Sequence, residues 1–444
     1  MNHKKLSWLP CAVSIIIFVS LLAALLYSHD LLPANRMLPT IFGLSAFSLV
    51  LTEVLLSLRP KFLERQIGLS AIYKIHGMTA FVLVAASIIH AAMIEATKGG
   101  ETALTIASFT GSLSLLLLIV ILLTGMFILS GSYIRKFPFL KCLKIHTIKR
   151  EAGLWIHRLA KIAVPVIFVH MVLIDYVRSN TSLCILLGVY VTMTMVAVAV
   201  SYVSRKRLPR YKLHNCKQLN EKVFELEFRQ ENSVIMTYDP GQFVFIRFLI
   251  SQVSNESHPF SISSALAHDN NSIKVMIKNS GDYTSTMNLL KKDDVAILEG
   301  PYGNFMDNRV YIANTPLVML AGGIGITPML SILRSQRIRQ PTRRIVLVWA
   351  LTQKNELMLV DELQSIQKIN PNFSYQITFD QEHVETFNYG RISNEYLHRI
   401  RVSTLYNKAD FYICGPPPMM NAVKSILLDN HVEPESIHTE DFSF

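Results

Sequence analysis

Four histidines of this 444-residue chain lie inside long apolar stretches, two to a stretch. His76 and His90 stand fourteen positions apart in "SAIYKIHGMTAFVLVAASIIHAAM", and His157 and His170 stand thirteen apart in "GLWIHRLAKIAVPVIFVHMVLIDYV". An ionisable side chain in a membrane-spanning helix is costly, so it faces the bundle interior and takes a partner. One helix supplies half of a bis-histidine site, and a second helix with a similar pair supplies the rest. At about 1.5 Å of rise per residue, the two levels lie roughly 20 Å apart. That suits two stacked b-type haems, one held by His76 and His157 and the other by His90 and His170. Interhelical hydrogen bonding and proton relay are the other uses such histidines have.

The helical phase is uneven. At about 100° per residue, a fourteen-residue step returns a side chain to within roughly 40° of its starting face, while a thirteen-residue step leaves it about 140° away. Pro165, between His157 and His170, removes a backbone hydrogen bond and is expected to kink or re-phase that helix.

The elements that must carry these residues are legible from hydropathy. Six apolar runs, roughly 8–28, 38–58, 69–95, 109–132, 153–177 and 182–204, are each long enough for a bilayer core of ~30 Å. The first begins like a secretory signal with "MNHKK", but no small-residue cleavage site follows it, and it is read as a retained helix. Lys and Arg cluster on alternate loops: Lys4 and Lys5, then Arg59, Lys61 and Arg65, then Arg135 to Arg150, then "RKRLPRYK". Both ends of the chain are therefore expected in the cytoplasm. The same bias accounts for the net charge of +11 as juxtamembrane charge facing anionic lipid, without nucleic acid. Five scattered cysteines without a C-x-x-C argue against zinc, iron–sulfur clusters and a disulfide framework.

Beyond the boundary near residue 205 the pattern changes. Residues 206–312 alternate apolar and polar in short runs such as "VFELEFRQ" and "SIKVMIKNSGDYT", which predicts a small antiparallel barrel. Residues 313–444 alternate apolar strands ("PLVML", "RIVLVWAL", "DFYIC") with helical stretches, the pattern of a parallel α/β sheet. The first of these strands runs into "AGGIGITPML". Gly322, Gly323 and Gly325 permit a tight turn, with Thr327 as N-cap and Pro328 at the first helical position. Such a helix N-terminus can receive a diphosphate, although a plain strand-to-helix turn has the same composition.

Three companion segments, "HPFSIS", "GDYTSTM" and "CGPPPMM", stand in the order and spacing of the ferredoxin-reductase flavoprotein module. With the paired histidines ahead of them, the chain resembles the ferric reductase and NADPH oxidase superfamily from its second helix onward, and is most similar to compact bacterial NADPH oxidases. The resemblance implies a six-helix haem-binding domain (1–205), an FAD-binding barrel (206–312) and an NAD(P)H-binding α/β domain (313–444), in a bacterial inner membrane. It implies that His258, Pro259, Phe260 and Ser261 bind FAD, with Phe260 beside the flavin ring and Ser261 near its reactive nitrogen. Many relatives carry an arginine where His258 stands. Gly281, Asp282 and Thr284 match the second FAD segment. Gly322, Gly323, Gly325, Thr327 and Pro328 match the nucleotide turn, and Cys414, Gly415 and Pro416 the segment near the nicotinamide; a buried small hydrophobe is the other reading of Cys414. Phe444 matches an aromatic that lies over the flavin.

The implied reaction is hydride transfer from NAD(P)H to FAD, then single electrons through the two haems to an outside acceptor. Dioxygen, giving superoxide, is the first expectation; ferric or other metal reduction, or donation to a partner protein, follows. Oxygen-reducing relatives hold an arginine and a histidine near the outer haem; Ile94 stands at the histidine's position, and Arg36 is the candidate cation. Thr352 stands where an NADPH-selecting arginine is common, with Lys354 or Arg391 as substitutes. No obligate protein partner is evident. A proton-coupled transporter with a nucleotide-sensing domain is the competing class; it explains membrane histidines but not the FAD segments.

Overall fold

A computed structural model of the chain describes residues 9–27, 33–97, 105–126, 150–230, 236–265, 272–306, 314–339 and 342–440. Internal contacts divide it into two units, Met1–Lys206 and Arg207–Phe444.

The described residues of the first unit form α1 (Leu9–Tyr27), α2 (Met37–Ser57), α3 (Lys61–Ile67), α4 (Leu69–Ala96), α5 (Ile106–Thr124), α6 (Arg150–Arg158), α7 (Ala160–Val172), α8 (Asp175–Arg178) and α9 (Thr181–Lys206). Six stretches, Leu9–Tyr27, Ala34–Ser57, Leu69–Ala96, Ile106–Thr124, Ala152–Val172 and Thr181–Lys206, are long and apolar enough to cross a membrane. They turn large apolar side chains such as Ile16, Val82, Leu116 and Val196 outward, as helices do when their outer face meets lipid. α2 is the most enclosed, and α1, α4, α7 and α9 pack around it. Its hydroxyls are satisfied within the bundle, Ser48 by Ser14 at 3.2 Å and Thr40 by Tyr176 at 2.8 Å. At the start of α5, Thr105 Oγ1 accepts from the Ser108 N–H at 3.1 Å while the Thr105 N–H donates to Ser108 Oγ at 3.0 Å, a capping box.

The fifth apolar run is broken, but not where its proline lies. α6 ends at Arg158 and α7 begins at Ala160, with Pro165 inside α7. The Leu159 N–H donates to the Ile156 carbonyl at 3.0 Å and the Ile162 N–H to the Leu159 carbonyl at 2.8 Å. These i to i−3 bonds wind the chain more tightly than an α-helix. The proline leaves the Lys161 carbonyl without its i+4 donor, and the irregularity settles in the turn ahead of it.

The second unit opens with an antiparallel barrel of β1 (Arg210–Gln218), β2 (Val223–Gln230), β3 (Phe243–Phe248), β4 (His258–Ser261), β5 (Ser272–Lys278) and β6 (Val295–Tyr302), with a short helix α10 (Asp282–Ser285) between β5 and β6. The strand order is β4-β3-β6-β1-β2-β5. It closes where Ile262 bridges Val275 and the Ser263 N–H donates to the Lys274 carbonyl at 2.7 Å. Leu213, Leu226, Phe228, Val244, Ile246 and Leu298 fill its interior.

A parallel sheet follows, built of β7 (Leu317–Gly322), β8 (Ile345–Leu351), β9 (Phe373–Phe379), β10 (Asn388–Tyr389), β11 (Asp410–Cys414) and β12 (Ile437–Glu440) in the order β10-β9-β8-β7-β11-β12. Helices α11 (Ile326–Arg339), α12 (Val360–Ile369), α13 (Asn394–Arg399) and α14 (Pro417–Asp429) cover it. Alternation along β7 explains the two layers: Leu317, Met319 and Ala321 pack with residues of α11 and α12, while Val318 and Leu320 pack with residues of α13 and α14.

Polar links join barrel and sheet within this unit. Arg334 of α11 grips Glu362 with Nε at 2.7 Å and Nη2 at 2.8 Å, donates through Nη1 to the Ser263 carbonyl at 2.8 Å, and lies 3.4 Å from Glu225 of β2. Burial alone would ease the proton off Arg334, but the two carboxylates outweigh it and the guanidinium is held charged. Lys278 of β5 pairs with Glu356 at 2.6 Å, and the Asn220 side chain donates to the Glu356 carbonyl at 3.0 Å.

Candidate functional site

The four histidines meet in the two expected pairs. The rings of His76 and His157 have centroids 6.0 Å apart with planes at 78°, and those of His90 and His170 are 6.4 Å apart at 77°. Bonds of about 2 Å from one metal to a nitrogen of each ring, with each centroid roughly 1 Å behind that nitrogen, require a separation of roughly 6 Å. Neighbouring helices make way for the rings. A Cβ on Gly43 of α2 would stand 3.0 Å from His90, one on Gly111 of α5 would stand 2.8 Å from His170, and one on Gly125 would stand 3.5 Å from His157.

Hydrogen bonds then orient the imidazoles. His90 Nδ1 donates to the Pro39 carbonyl at 2.8 Å, His170 Nδ1 to the Ala107 carbonyl at 2.8 Å and His157 Nδ1 to the Ile121 carbonyl at 3.3 Å. A carbonyl only accepts, so these rings carry the proton on Nδ1 and keep the lone pair on Nε2 for a metal. The Nδ1 of His76 instead faces the carboxylate of Glu53, a buried side chain of α2. Among the described residues no group of three or more His, Cys, Asp or Glu gathers to hold a bare metal ion. A prosthetic group that brings its own equatorial ligands suits what is present.

Arg36 closes the turn Ala34–Arg36 that leads into α2, one turn before Pro39. It is half-buried and stands at the His90–His170 level. Ile94 lies one turn beyond His90 on α4.

In the second unit the structure brings "HPFS" and "GDYTS" together. The ring of His258 stacks on Tyr283 with centroids 3.7 Å apart, and its Nε2 lies 3.0 Å from Glu256. His258, Pro259, Phe260 and Ser261 form β4, where all four are half-buried. The Tyr283 hydroxyl is buried without a hydrogen-bond partner among the described residues, and burial, reinforced by Glu256, pushes its phenol well above the ordinary range. An orphaned buried hydroxyl beside a half-open strand is what a missing polar ligand leaves behind. Thr284 holds the turn together: its Oγ1 accepts from the Ser280 and Gly281 N–H groups at 2.9 and 3.0 Å. Gly281 and Asp282 are exposed.

Gly322–Gly325 and Cys414–Pro416 converge at the carboxyl ends of β7 and β11, neighbours at the point where strand order reverses. Nucleotides bind at such switch points. A Cβ on Gly322 would stand 2.6 Å from the Met419 sulfur and 2.9 Å from Pro416, and one on Gly415 would stand 3.0 Å from the Gly322 backbone. Gly323 has φ +53° and open space beside it, with its carbonyl held at 2.9 Å by the Trp349 indole N–H. Thr327 is not the N-cap. The turn Gly323–Gly325 runs directly into α11, which begins at Ile326, so Thr327 and Pro328 both fall within the first helical turn. Buried there, the Thr327 hydroxyl donates to the Ile324 carbonyl at 2.8 Å. Cys414 is itself buried, between Ala321 of β7 and Glu440 of β12. Phe444 lies outside the described residues.

Sequence reasoning missed Glu53, the three glycines beside the rings, and Tyr283. An acidic residue within an apolar helix was a readable signal for the first; the glycines and Tyr283 carry none without a packing partner.

Residues 208–305 match the family of FAD-binding domains, and residues 319–425 match the oxidoreductase NAD-binding domain. A flavohemoprotein of Rhizobium meliloti (strain 1021) is 26% identical over 223 residues, 47% of this chain and 53% of the relative. A toluate 1,2-dioxygenase electron transfer component of Pseudomonas putida is 26% identical over 233 residues, 52% of this chain and 66% of the relative. A flavohemoprotein of Bordetella pertussis is 28% identical over 222 residues, 46% of this chain and 53% of the relative. The chain thus spans between about half and two thirds of the length of these relatives. Barrel, switch point and family matches together make the second unit an FAD-binding domain followed by an oxidoreductase NAD-binding domain.

Proposed function

We propose that the chain carries electrons across a membrane, from cytosolic NAD(P)H to an acceptor on the outer side, using FAD and two b-type haems, in the manner of the ferric reductase and NADPH oxidase superfamily. Dioxygen is the leading acceptor, with superoxide as product. The observation that carries the reading is the pair of imidazole pairs, each separated by the width of one axially ligated metal, on a chain that also holds an FAD/NAD(P)H module. Bound FAD supplies conversion of a two-electron hydride into single electrons, and haem iron supplies one-electron carriage.

The chain's own part is to hold and orient. The carbonyls of Pro39, Ala107 and Ile121 hold three imidazoles with Nε2 free, and Gly43, Gly111 and Gly125 admit the rings. His258, Pro259, Phe260 and Ser261, with the stacked Tyr283, form the flavin side. Gly281 and Asp282 stand beside it for the diphosphate. Gly322, Gly323 and Gly325 present the N-terminus of α11 to the nucleotide diphosphate, and Cys414–Pro416 border the nicotinamide. Arg36, at the His90–His170 level, is suited to draw dioxygen's anionic product.

Metal reduction is the second reading. Ile94 favours it, because an imidazole one turn beyond His90 is missing and Arg36 can equally receive an anionic ferric chelate. Purified protein given NADPH and FAD decides. Oxygen uptake with dismutase-sensitive cytochrome c reduction supports the oxidase; anaerobic ferric citrate reduction without oxygen uptake supports the reductase. A preparation without a sharp reduced haem band sinks both and returns the histidines to proton relay.

A further inference from the structure

We propose that Glu53 sets the two haem levels apart in potential and makes the His76–His157 level the lower of the two; this rests on the bis-histidine reading above. Three of the four ligand candidates donate from Nδ1 to neutral backbone carbonyls, those of Ile121, Pro39 and Ala107. His76 alone faces a carboxylate. Glu53 is buried, its Oε1 accepts from the Thr79 hydroxyl, and its Oε2 lies against His76 Nδ1. The two atoms are in contact, and among the described residues neither makes a hydrogen bond, so the carboxylate meets the ring as a charge. A carboxylate within an apolar helix is expensive to keep. Solubility does not explain it, and Lys74, two residues before His76, is exposed.

The physical consequence follows from charge. An anion held against the ring of a ligand candidate favours the oxidised, more positive iron over the reduced one. The potential of the His76–His157 level falls, while the other level, held only by neutral carbonyls, does not. An electron leaving the first level, which is thereby oxidised, moves downhill to the second, which is reduced, with no further reactant. Glu53 acts through His76 and is a positioning residue. The outward direction of transfer is thus written into one side chain of α2.

Anaerobic potentiometric titration of the full-length, detergent-solubilised protein tests this, with haem content measured alongside. Fewer than two haems per chain in the parent overturns the haem reading itself, independently of Glu53. With two haems present, Glu53→Gln is expected to keep both and to raise only the lower potential, by at least tenfold in the oxidised-to-reduced ratio, which is about 59 mV for one electron. Repeating the substitution in a His170→Ala background, which keeps only the inner pair, must reproduce the shift in the remaining haem. Thr79→Val keeps the carboxylate but withdraws one of its donors, and is expected to lower the same potential. If Glu53→Gln retains both haems and moves neither potential, or moves the higher one, the proposal is wrong. If Glu53→Gln loses the inner haem, an unmoved potential in Thr79→Val is the result that overturns it.

Discussion

Gly325 is pressed so closely on Cys414 that a Cβ there would overlap the Cys414 carbonyl and stand 2.9 Å from the Gly415 nitrogen. Two segments almost ninety residues apart in sequence thus share one wall, and the close approach exists only because Gly325 carries no side chain there. Gly325→Val is expected to push β11's end away from β7, at a cost of roughly 1–3 kcal/mol of overpacking. NAD(P)H-dependent bleaching of the flavin should slow by roughly ten- to a hundredfold, while bound FAD per chain stays at the parental value. Stopped-flow absorbance measures the first and released-flavin fluorescence the second; unchanged bleaching would show that the two segments do not form one nucleotide wall.

The His90–His170 pair offers a clean partition. His90→Ala and His170→Ala should each remove about half of the haem, because each replaces one of the two imidazoles proposed to hold that group. Reduction of soluble dyes by NAD(P)H, which needs only the second unit, should persist. Two full haems per chain in both variants would remove His90 and His170 from the assignment.

Arg334 ties three elements of the second unit together, and its removal takes this cation from the partly buried Glu225 and Glu362. Arg334→Ala is expected to cost roughly 3 kcal/mol, the low end for a buried pair because solvent reaches the cluster. For a unit of this size that lowers Tm by roughly 6–12 °C. Flavin fluorescence followed during heating reads the transition. A shift within 2 °C of the parent, roughly 1 kcal/mol or less, would mean that the Arg334 cluster does not hold barrel and sheet together.

Glu356 links stability to pH. Burial alone would raise its pKa, but the Lys278 ammonium and the Thr352 N–H outweigh burial and hold the carboxyl below its ordinary range. A depressed carboxyl contributes stability that is present above the unfolded value, about 4.5, and is lost as pH falls through the folded value. Lys278→Met should therefore lower stability at pH 7 and narrow the difference from the parent below pH 4.5. Parallel denaturant titrations at the two pH values measure it, and a difference independent of pH would contradict the pairing.

Nucleotide choice rests on cations at the carboxyl ends of β8 and β9. Thr352 supplies none, and its N–H is taken by Glu356. The Lys354 N–H donates to Glu382 at 2.7 Å, and the exposed Arg391 lies 3.4 Å from Asp380. Lys354 and Arg391 are the cations proposed to meet a ribose phosphate. A modest NADPH preference is expected, and Arg391→Ala should reduce it several-fold in kcat/KM while leaving NADH turnover unchanged. A strong NADH preference in the parent would reverse the assignment.

Chemistry-bearing residues declared themselves early, because lipid and nucleotides impose patterns that a sequence cannot hide. Long apolar runs are required wherever backbone polar groups must be satisfied without water, which made six spans readable together with the four histidines inside them. Glycine-rich turns after apolar strands are required where backbone approaches a ligand or another backbone, which made the segments around Gly322 and Cys414 readable. Three-dimensional packing decided the rest. Thirteen residues on an ideal helix could not place His157 and His170 on one face, and the run that carries them is interrupted at the tightened turn around Leu159, not at Pro165. Thr327 lost the cap it was assigned because the glycine turn winds straight into the helix one residue earlier. Glu53 lies twenty-three positions from His76 in sequence, on another helix, and no local pattern joins them. Only the packing of α2 on α4 does, since a charge acts across the few ångströms that tertiary structure alone sets.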